Sequence, residues 1–375
     1  MQVNNKAYNS LWYDAVKQQV FIIDQTVLPH HFEIVELHCL ADFCRAINDM
    51  QVRGAPLIGV TAAFALAMAL RDDANIASEA CTRLLATRPT AVNLRWALLR
   101  VQRSIQGLAP SLRANAALNE ALAIHAQDIQ CCEAIGNHGA DLLQQQLAQR
   151  GADRTLNILT HCNAGWLAAV DWGTALAPIY KARERGLALH VWVDETRPRN
   201  QGSNLTAWEL QQQGIDHTVI ADNTGGHLMQ QGLVDLCLVG SDRTTANGDV
   251  CNKIGTYLKA LAAQANNIPF YVALPASTID WSIDDGVRQI PIELRPAREL
   301  THITGLDAGG KRREVQLIHH SAVANYAFDV TPAKYISGLI TEHGLFNADR
   351  DSLNRLRLSL ATDSEQQPIA GQQSC

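Results

Sequence analysis

Five short segments of this sequence carry side chains able to do chemistry or to hold an anion. In the first, an apolar run ends in His161-Cys162-Asn163-Ala164-Gly165, and a helix-like stretch, 164–185, follows. Cys162 is expected at the carboxyl end of a strand, beside the next helix's N-terminus. Free N–H groups and partial positive charge at such an end favour a thiolate. The competing reading is a buried turn cysteine acting as a small apolar residue. His161 adjoins it, but neighbours on an extended chain point oppositely, so His161 reads as structural. The second segment ends a strand with Gly240-Ser241-Asp242. A carboxylate at a strand tip against apolar walls gains a raised pKa and can act as general acid or base. Alternatively it caps the loop or pairs with Arg243.

The third segment is a turn, Asn247-Gly248-Asp249, with a helix expected from Asn252 onward. Asn252 and Lys253 would open that helix, where a lysine suits a phosphate or a sugar hydroxyl. The bland alternative is a solvated lysine. Two arginines form the fourth set. Arg53-Gly54-Ala55-Pro56 and Arg88-Pro89-Thr90 each place a guanidinium just before a Pro-led helix start. Helix amides plus guanidinium make a phosphate site, and Gly54 lets backbone approach a ligand closely. A domain-interface ion pair is the alternative, more so for Arg88. The fifth segment contains Asp194, Glu195 and Gln201. Gln201 could bind a sugar hydroxyl. The two acids read as structural partners of Arg197 and Arg199.

These residues need elements to position them. Short β-like runs at 19–24 and 32–37 open the chain. Helical periodicity follows at 40–49, 90–106 and 116–144, and the fourteen-residue apolar run Leu57–Leu70 predicts a helix buried on all sides. That run is too short for a bilayer, which needs about 20 residues. Composition turns polar around 144–154. Beyond it, apolar runs at 155–160, 188–193, 217–221, 233–239 and 269–274 alternate with helix-like segments. Such alternation predicts a parallel sheet covered on both faces. Residues 314–344 are expected to add one strand and one helix. The fold class is therefore α/β. A mainly helical N-terminal domain with short strands (1–148) precedes a Rossmann-like catalytic domain with a mostly parallel sheet (149–360) and a disordered tail (361–375). Ligands of such sheets sit outside the carboxyl ends of the strands, where Cys162, Asp242 and Gln201 are predicted.

Composition excludes several classes. Across 375 residues the formal net charge is −6, which disfavours a nucleic-acid or membrane partner. An anionic small molecule would need a local basic cluster. Nine cysteines without CxxC spacing read as reduced thiols in the cytoplasm. GxGxxG after a strand, GxxxxGK[ST], HExxH and GxSxG are all absent. The pairs His30-His31 and His319-His320 lack metal-site spacing, and Gly309-Gly310-Lys311 reads as a surface turn.

Taken in order, RGAPLIGV, RPTAVNL, LTHCNAG, DETRPRNQGSNLTAWEL, GSDRTTANGDVCNKIGTY, PFYVALPASTID and FDVTPAKYISGLITEHG resemble the methylthioribose-1-phosphate isomerase family. The resemblance spans about residues 53–344. The family shares its fold with regulatory subunits of the translation-initiation exchange factor. The resemblance implies a homodimeric aldose–ketose isomerase of methionine salvage, with no metal or cofactor. Its substrate is a sugar phosphate, 5-methylthioribose 1-phosphate. It also implies catalytic roles for Cys162 and Asp242, and substrate contacts from Arg53, Gly54, Ala55, Arg88, Gln201, Asn252 and Lys253. Ser241, Thr244-Thr245 and Trp166 depart from the family pattern and are expected to reshape the pocket at the thioether end. Same-fold isomerases of 5-deoxyribose 1-phosphate or ribose 1,5-bisphosphate, and a non-catalytic assembly subunit, are the alternatives.

Overall fold

The computed structural model describes residues 1–88, 91–151 and 154–366. Short strands open the chain: β1 (Gln2–Val3), β2 (Lys6–Ala7), β3 (Leu11–Asp14), β4 (Gln19–Ile23) and β5 (Ile34–Leu37). The last three form an antiparallel sheet. Five helices follow: α1 (Leu40–Asn48), α2 (Ala55–Asp72), α3 (Ala77–Thr87), α4 (Val92–Ile105) and α5 (Pro110–Arg150). α2 is buried from Ala55 to Leu70. It is long and apolar enough to cross a membrane, yet 89% of it lies inside the fold. Its neighbours α1, α3, α4 and α5 surround it, which explains an apolar sequence with no polar face. Pro89 and Thr90, expected to start α4, lie outside the described residues.

Beyond α5 the chain alternates: β6 (Leu156–Thr160), α6 (Ala177–Glu184), β7 (Leu189–Asp194), α7 (Ala207–Gln212), β8 (His217–Ile220), α8 (Thr224–Gln230) and β9 (Leu236–Val239). Then come β10 (Arg243–Thr245), β11 (Val250–Lys253), α9 (Thr256–Ala265), β12 (Phe270–Ala273) and β13 (Ile279–Asp280). Short pieces follow: α10 (Gly286–Gln289), α11 (Arg298–Thr301), β14 (His302–Leu306) and β15 (Arg312–Gln316). The chain closes with β16 (Phe328–Thr331), β17 (Gly338–Thr341), β18 (Gly344–Phe346) and α12 (Arg350–Gln366).

Seven strands make the main sheet, in the order β18-β17-β12-β9-β6-β7-β8. All pairings are parallel except β17 with β18. One apolar layer, with Ile158 and Val191, packs under α6 and the carboxyl half of α5; the other, with Val239 and Val272, lies under α9 and α12. β10, β11, β13 and β16 form a smaller sheet beside the strand tips.

Several expectations change. No α-helix begins at residue 164; a 3-10 turn spans Trp166–Ala168 and α6 starts only at Ala177. Asn252 and Lys253 end strand β11, where they pair antiparallel with Asp329 and Phe328 of β16. Residues 314–344 carry strands and a 3-10 turn in place of a helix. α12 continues through 361–366, where helix-forming Ala361 and Glu365 extend it into the stretch expected to be a disordered tail. Residues 367–375 lie outside the described residues.

Candidate active site

One cleft opens between the N-terminus of α2 and the carboxyl ends of β6 and β9. All nine residues singled out in the sequence line it: Arg53, Gly54, Ala55, Arg88, Cys162, Gln201, Asp242, Asn252 and Lys253. Polar and apolar side chains wall it together, as in small-molecule sites.

Cys162 lies two residues past the end of β6 and adopts φ +67°, a left-handed conformation uncommon for a side-chain-bearing residue. Its neighbours hold that turn in place. The Cys162 N–H donates to Thr196 Oγ1 at 2.9 Å, and Thr206 Oγ1 donates to the Cys162 carbonyl at 2.7 Å. The thiol donates to Gln201 Oε1 at 3.4 Å. Burial raises the thiol pKa, against the pull of Arg53 and Lys253, while Asp242 reinforces the rise. Burial thus favours the neutral thiol over the thiolate. The helix N-terminus expected to favour a thiolate is not at this turn, since α6 starts only at Ala177.

Asp242 sits between β9 and β10, its N–H donating to the Cys251 carbonyl at 2.9 Å. Burial raises its pKa, opposed by Lys253, Arg53 and Arg88. That direction suits a carboxyl group that both donates and accepts a proton. Lys253 is buried, and its ammonium lies 4.5 Å from the centre of the Phe328 ring, its cross-strand neighbour. Burial lowers its pKa, offset by Cys162 and Asp242.

Arg53 is buried at the start of α2. Its guanidinium donates twice to Asn163, to Oδ1 and to the backbone carbonyl. Gly54 has φ +91°, and a Cβ there would lie 2.4 Å from the Ala168 carbonyl oxygen; only glycine lets α2 begin against that turn. Arg88 ends α3 with Nη2 3.5 Å from Glu293 Oε2. Among the described residues, Arg88 Nε and Glu293 Oε2 lack a hydrogen-bond partner. A buried guanidinium with an unmet donor leaves room for an anion. Asn252 Nδ2 donates to Thr256 Oγ1 at 3.0 Å, tying β11 to α9.

His161 also lines the cleft, with both ring nitrogens engaged by protein groups. It is buried, with Nδ1 2.9 Å from Asp194 Oδ2 and Nε2 2.8 Å from the Ile254 carbonyl. Asp194 pairs with His161 and with Lys259 Nζ at 3.2 Å, not with Arg197 or Arg199. Arg199 pairs instead with Glu299. His161, Asp194 and Asp222 have their ligand atoms close enough for a cation. The Lys259 ammonium already supplies positive charge there, ion-paired to Asp194 and donating to the Asp222 carbonyl. Of the departures from the family pattern, Ser241 lines the cleft. Trp166 is fully buried against Trp208, and Thr244 and Thr245 are buried in β10, so neither reshapes the cleft lining. Asn163, Glu209 and Glu293 were missed. The only signal for the first two was their place inside the HCNAG and TAWEL runs.

Over residues 51–348 the chain matches the initiation factor 2 subunit family. It is 57% identical over 356 residues to the methylthioribose-1-phosphate isomerase of Methylocella silvestris, covering 94% of this chain and 97% of that one. The chain belongs to the initiation factor 2 subunit family, on its methylthioribose-1-phosphate isomerase branch. The isomerase of that name from Rhodospirillum centenum is 54% identical over 99% of both chains. Among solved structures, 5-methylthioribose 1-phosphate isomerase from Pyrococcus horikoshii OT3 is 36% identical with a TM-score of 0.80, covering 94% of this chain and 97% of that one. The translation initiation factor eIF-2B delta subunit from A. fulgidus is 37% identical with a TM-score of 0.75, covering 91% and 96%. The isomerase branch and the initiation-factor proteins thus share this architecture.

Proposed function

We propose that the chain interconverts 5-methylthioribose 1-phosphate and 5-methylthioribulose 1-phosphate, an aldose–ketose isomerisation in methionine salvage. The observation that carries this reading is the convergence of a thiol, a carboxyl group of raised pKa and three buried cations on one cleft. Relatives more than half identical over nearly the whole chain bear the isomerase name. Arg53, Arg88, Lys253 and the α2 N-terminus hold the phosphate; Gln201 and Asn252 align sugar hydroxyls. Asp242, protonated, donates to the ring oxygen as its bond to C1 breaks. Hydrogen moves from C2 to C1, the C2 hydroxyl loses its proton, and C2 becomes the ketone. Cys162 is placed beside C1 and C2: either Asp242, having protonated the ring oxygen, takes the thiol proton and the thiolate relays the C2 hydrogen to C1 as a proton, or the thiol stabilises a hydride shift. Isomerisation in heavy water separates the two: deuterium entering at C1 excludes a pure hydride shift.

The charge count argues against a substrate with two phosphates. A second phosphate would need a further free basic group, and Glu293 already faces Arg88. Proton NMR of turnover with 5-methylthioribose 1-phosphate, 5-deoxyribose 1-phosphate and ribose 1,5-bisphosphate tests this. The reading expects the first to be converted most efficiently, and preferential conversion of the bisphosphate overturns it. A homodimer and a cytoplasmic location belong to the same proposal. Val315, Leu317, Leu294 and Tyr326 leave apolar surface exposed for a second copy. The described cysteines are all free thiols, which suits a reducing compartment. Light scattering that gives the monomer mass would refute the dimer.

A further inference from the structure

Glu209 lies on α7, fully buried, and touches neither cleft nor solvent. Four donors converge on its carboxylate. Asn163 Nδ2 reaches Oε1 at 2.8 Å and the Leu167 N–H reaches it at 3.2 Å. The Trp166 N–H and the Tyr180 hydroxyl reach Oε2 at 2.9 and 2.7 Å. Gly165 makes room for this group: a Cβ there would lie 1.9 Å from Oε2. The Asn163 amide and the two backbone N–H groups can only donate, so these contacts, with the Tyr180 hydroxyl, favour a Glu209 carboxylate against burial, which raises its pKa.

That charge has a geometric consequence. The Asn163 amide could in principle face either way. Glu209 accepts one amide hydrogen. Thr206 Oγ1 takes the other at 3.1 Å, because its own hydrogen is committed to the Cys162 carbonyl. The amide oxygen must therefore face Arg53, where it accepts from Nη1 while the Asn163 carbonyl accepts from Nη2. We propose that Glu209 is a positioning residue for the phosphate site, fixing the Asn163 amide so that it aims the Arg53 guanidinium into the cleft. The proposal rests on Arg53 being a phosphate ligand. It links α7 of the sheet domain to the start of α2 in the helical domain through a single asparagine.

The Glu209→Gln side chain brings its own N–H₂ into a ring of donors. Where that N–H₂ takes the Oε1 place it turns the Asn163 amide and presents hydrogens to Arg53; where it takes the Oε2 place it faces the Trp166 N–H, and Asn163 keeps only a neutral acceptor in place of a charged one. Inorganic phosphate as a competitive inhibitor reads the result. In Glu209→Gln its Ki should rise by at least about tenfold, the worth of a charge-assisted hydrogen bond, and substrate KM should rise more than kcat falls. Tyr180→Phe removes one donor from Oε2 and leaves the Asn163 contact in place. It should lower the melting temperature with Ki unchanged within about twofold, which separates positioning from general loss of packing. In an Arg53→Lys background, Glu209→Gln should add less than about twofold, because coupled residues are not additive. Should Glu209→Gln not fold, Glu209→Asp, whose shorter carboxylate falls short of Asn163, carries the same expectation. An unchanged phosphate Ki in folded Glu209→Gln or Glu209→Asp, or effects that simply multiply with those of Arg53→Lys, overturns the relay. An unchanged Ki in Arg53→Lys alone instead removes Arg53 from the phosphate site, and the relay with it.

Discussion

Gly54→Ala places a methyl group where backbone already stands. The new Cβ would meet the Ala168 carbonyl oxygen at 2.4 Å and the Ala168 Cα and Cβ at 2.6 Å. Ordinary contact needs about 3.4 Å, so roughly 1 Å must come from moving α2 or the Trp166–Ala168 turn. Overpacking of this kind costs about 1–3 kcal/mol, and holding alanine at positive φ costs about 1–3 kcal/mol more. The displacement falls between Arg53 and Ala55, where the phosphate is proposed to bind. A misplacement of about 1 Å lowers turnover on the order of 100-fold. Gly186→Ala is the matched control, since Gly186 also has positive φ (+81°) but nothing lies within 4 Å of an added Cβ. Steady-state kinetics and thermal melts on both variants provide the assay. The expected result is destabilisation in both and loss of kcat/KM, about 100-fold, in Gly54→Ala alone. Gly54→Ala with a wild-type melting temperature and kcat/KM within about threefold would refute the close approach of α2 to the 3-10 turn.

Asp242 gives a pH prediction. Its folded pKa lies above the ordinary carboxylate value because burial disfavours the charge. The native state therefore binds the proton more tightly than the unfolded state, and stability is lost as pH rises from the unfolded pKa through the folded one. Asp242→Asn mimics the protonated form. It should melt higher than wild type at pH 7, with the gap closing towards pH 4; a lower melting temperature at pH 7 contradicts this. Cys162 gives a second prediction. Its raised pKa and burial should make it slower to alkylate with iodoacetamide at pH 7.5 than exposed Cys39, with the rate climbing above pH 9. Peptide mapping that finds Cys162 labelled first would show a thiolate after all. Lys253→Met gives a third. Burial lowers the lysine pKa, so removing the charge should raise the melting temperature while weakening substrate KM by at least about tenfold. An unchanged KM would remove Lys253 from the phosphate site.

Much of the site was legible because its residues lie at element ends, where sequence punctuation is strongest. Gly54 and Pro56 mark the start of α2, and Cys162 and Asp242 come within three residues of the ends of apolar β6 and β9. What failed was local. The run after Cys162 has helix-compatible residues, but Gly165 and Gly173 bridge to each other and hold it as a turn. Asn252 and Lys253 read as a helix start because the antiparallel partner that makes them a strand, β16, lies over 70 residues away in sequence. Asp194 lies beside Arg197 and Arg199 in sequence, yet its partners His161 and Lys259 arrive from β6 and α9. Long-range pairing, rather than propensity, decided the last two of these. Glu209 was invisible for the same reason, since its four donors come from residues 163–180.

The most direct test of the central claim compares wild type, Cys162→Ser and Asp242→Asn in saturating 5-methylthioribose 1-phosphate, with calorimetric binding measured in parallel. If the sulfur and the carboxyl group carry the hydrogen and proton transfers, each variant should keep substrate affinity within about tenfold and lose kcat by about 100- to 10,000-fold. Turnover near the wild-type rate in either variant would contradict the assignment of chemistry to this cleft.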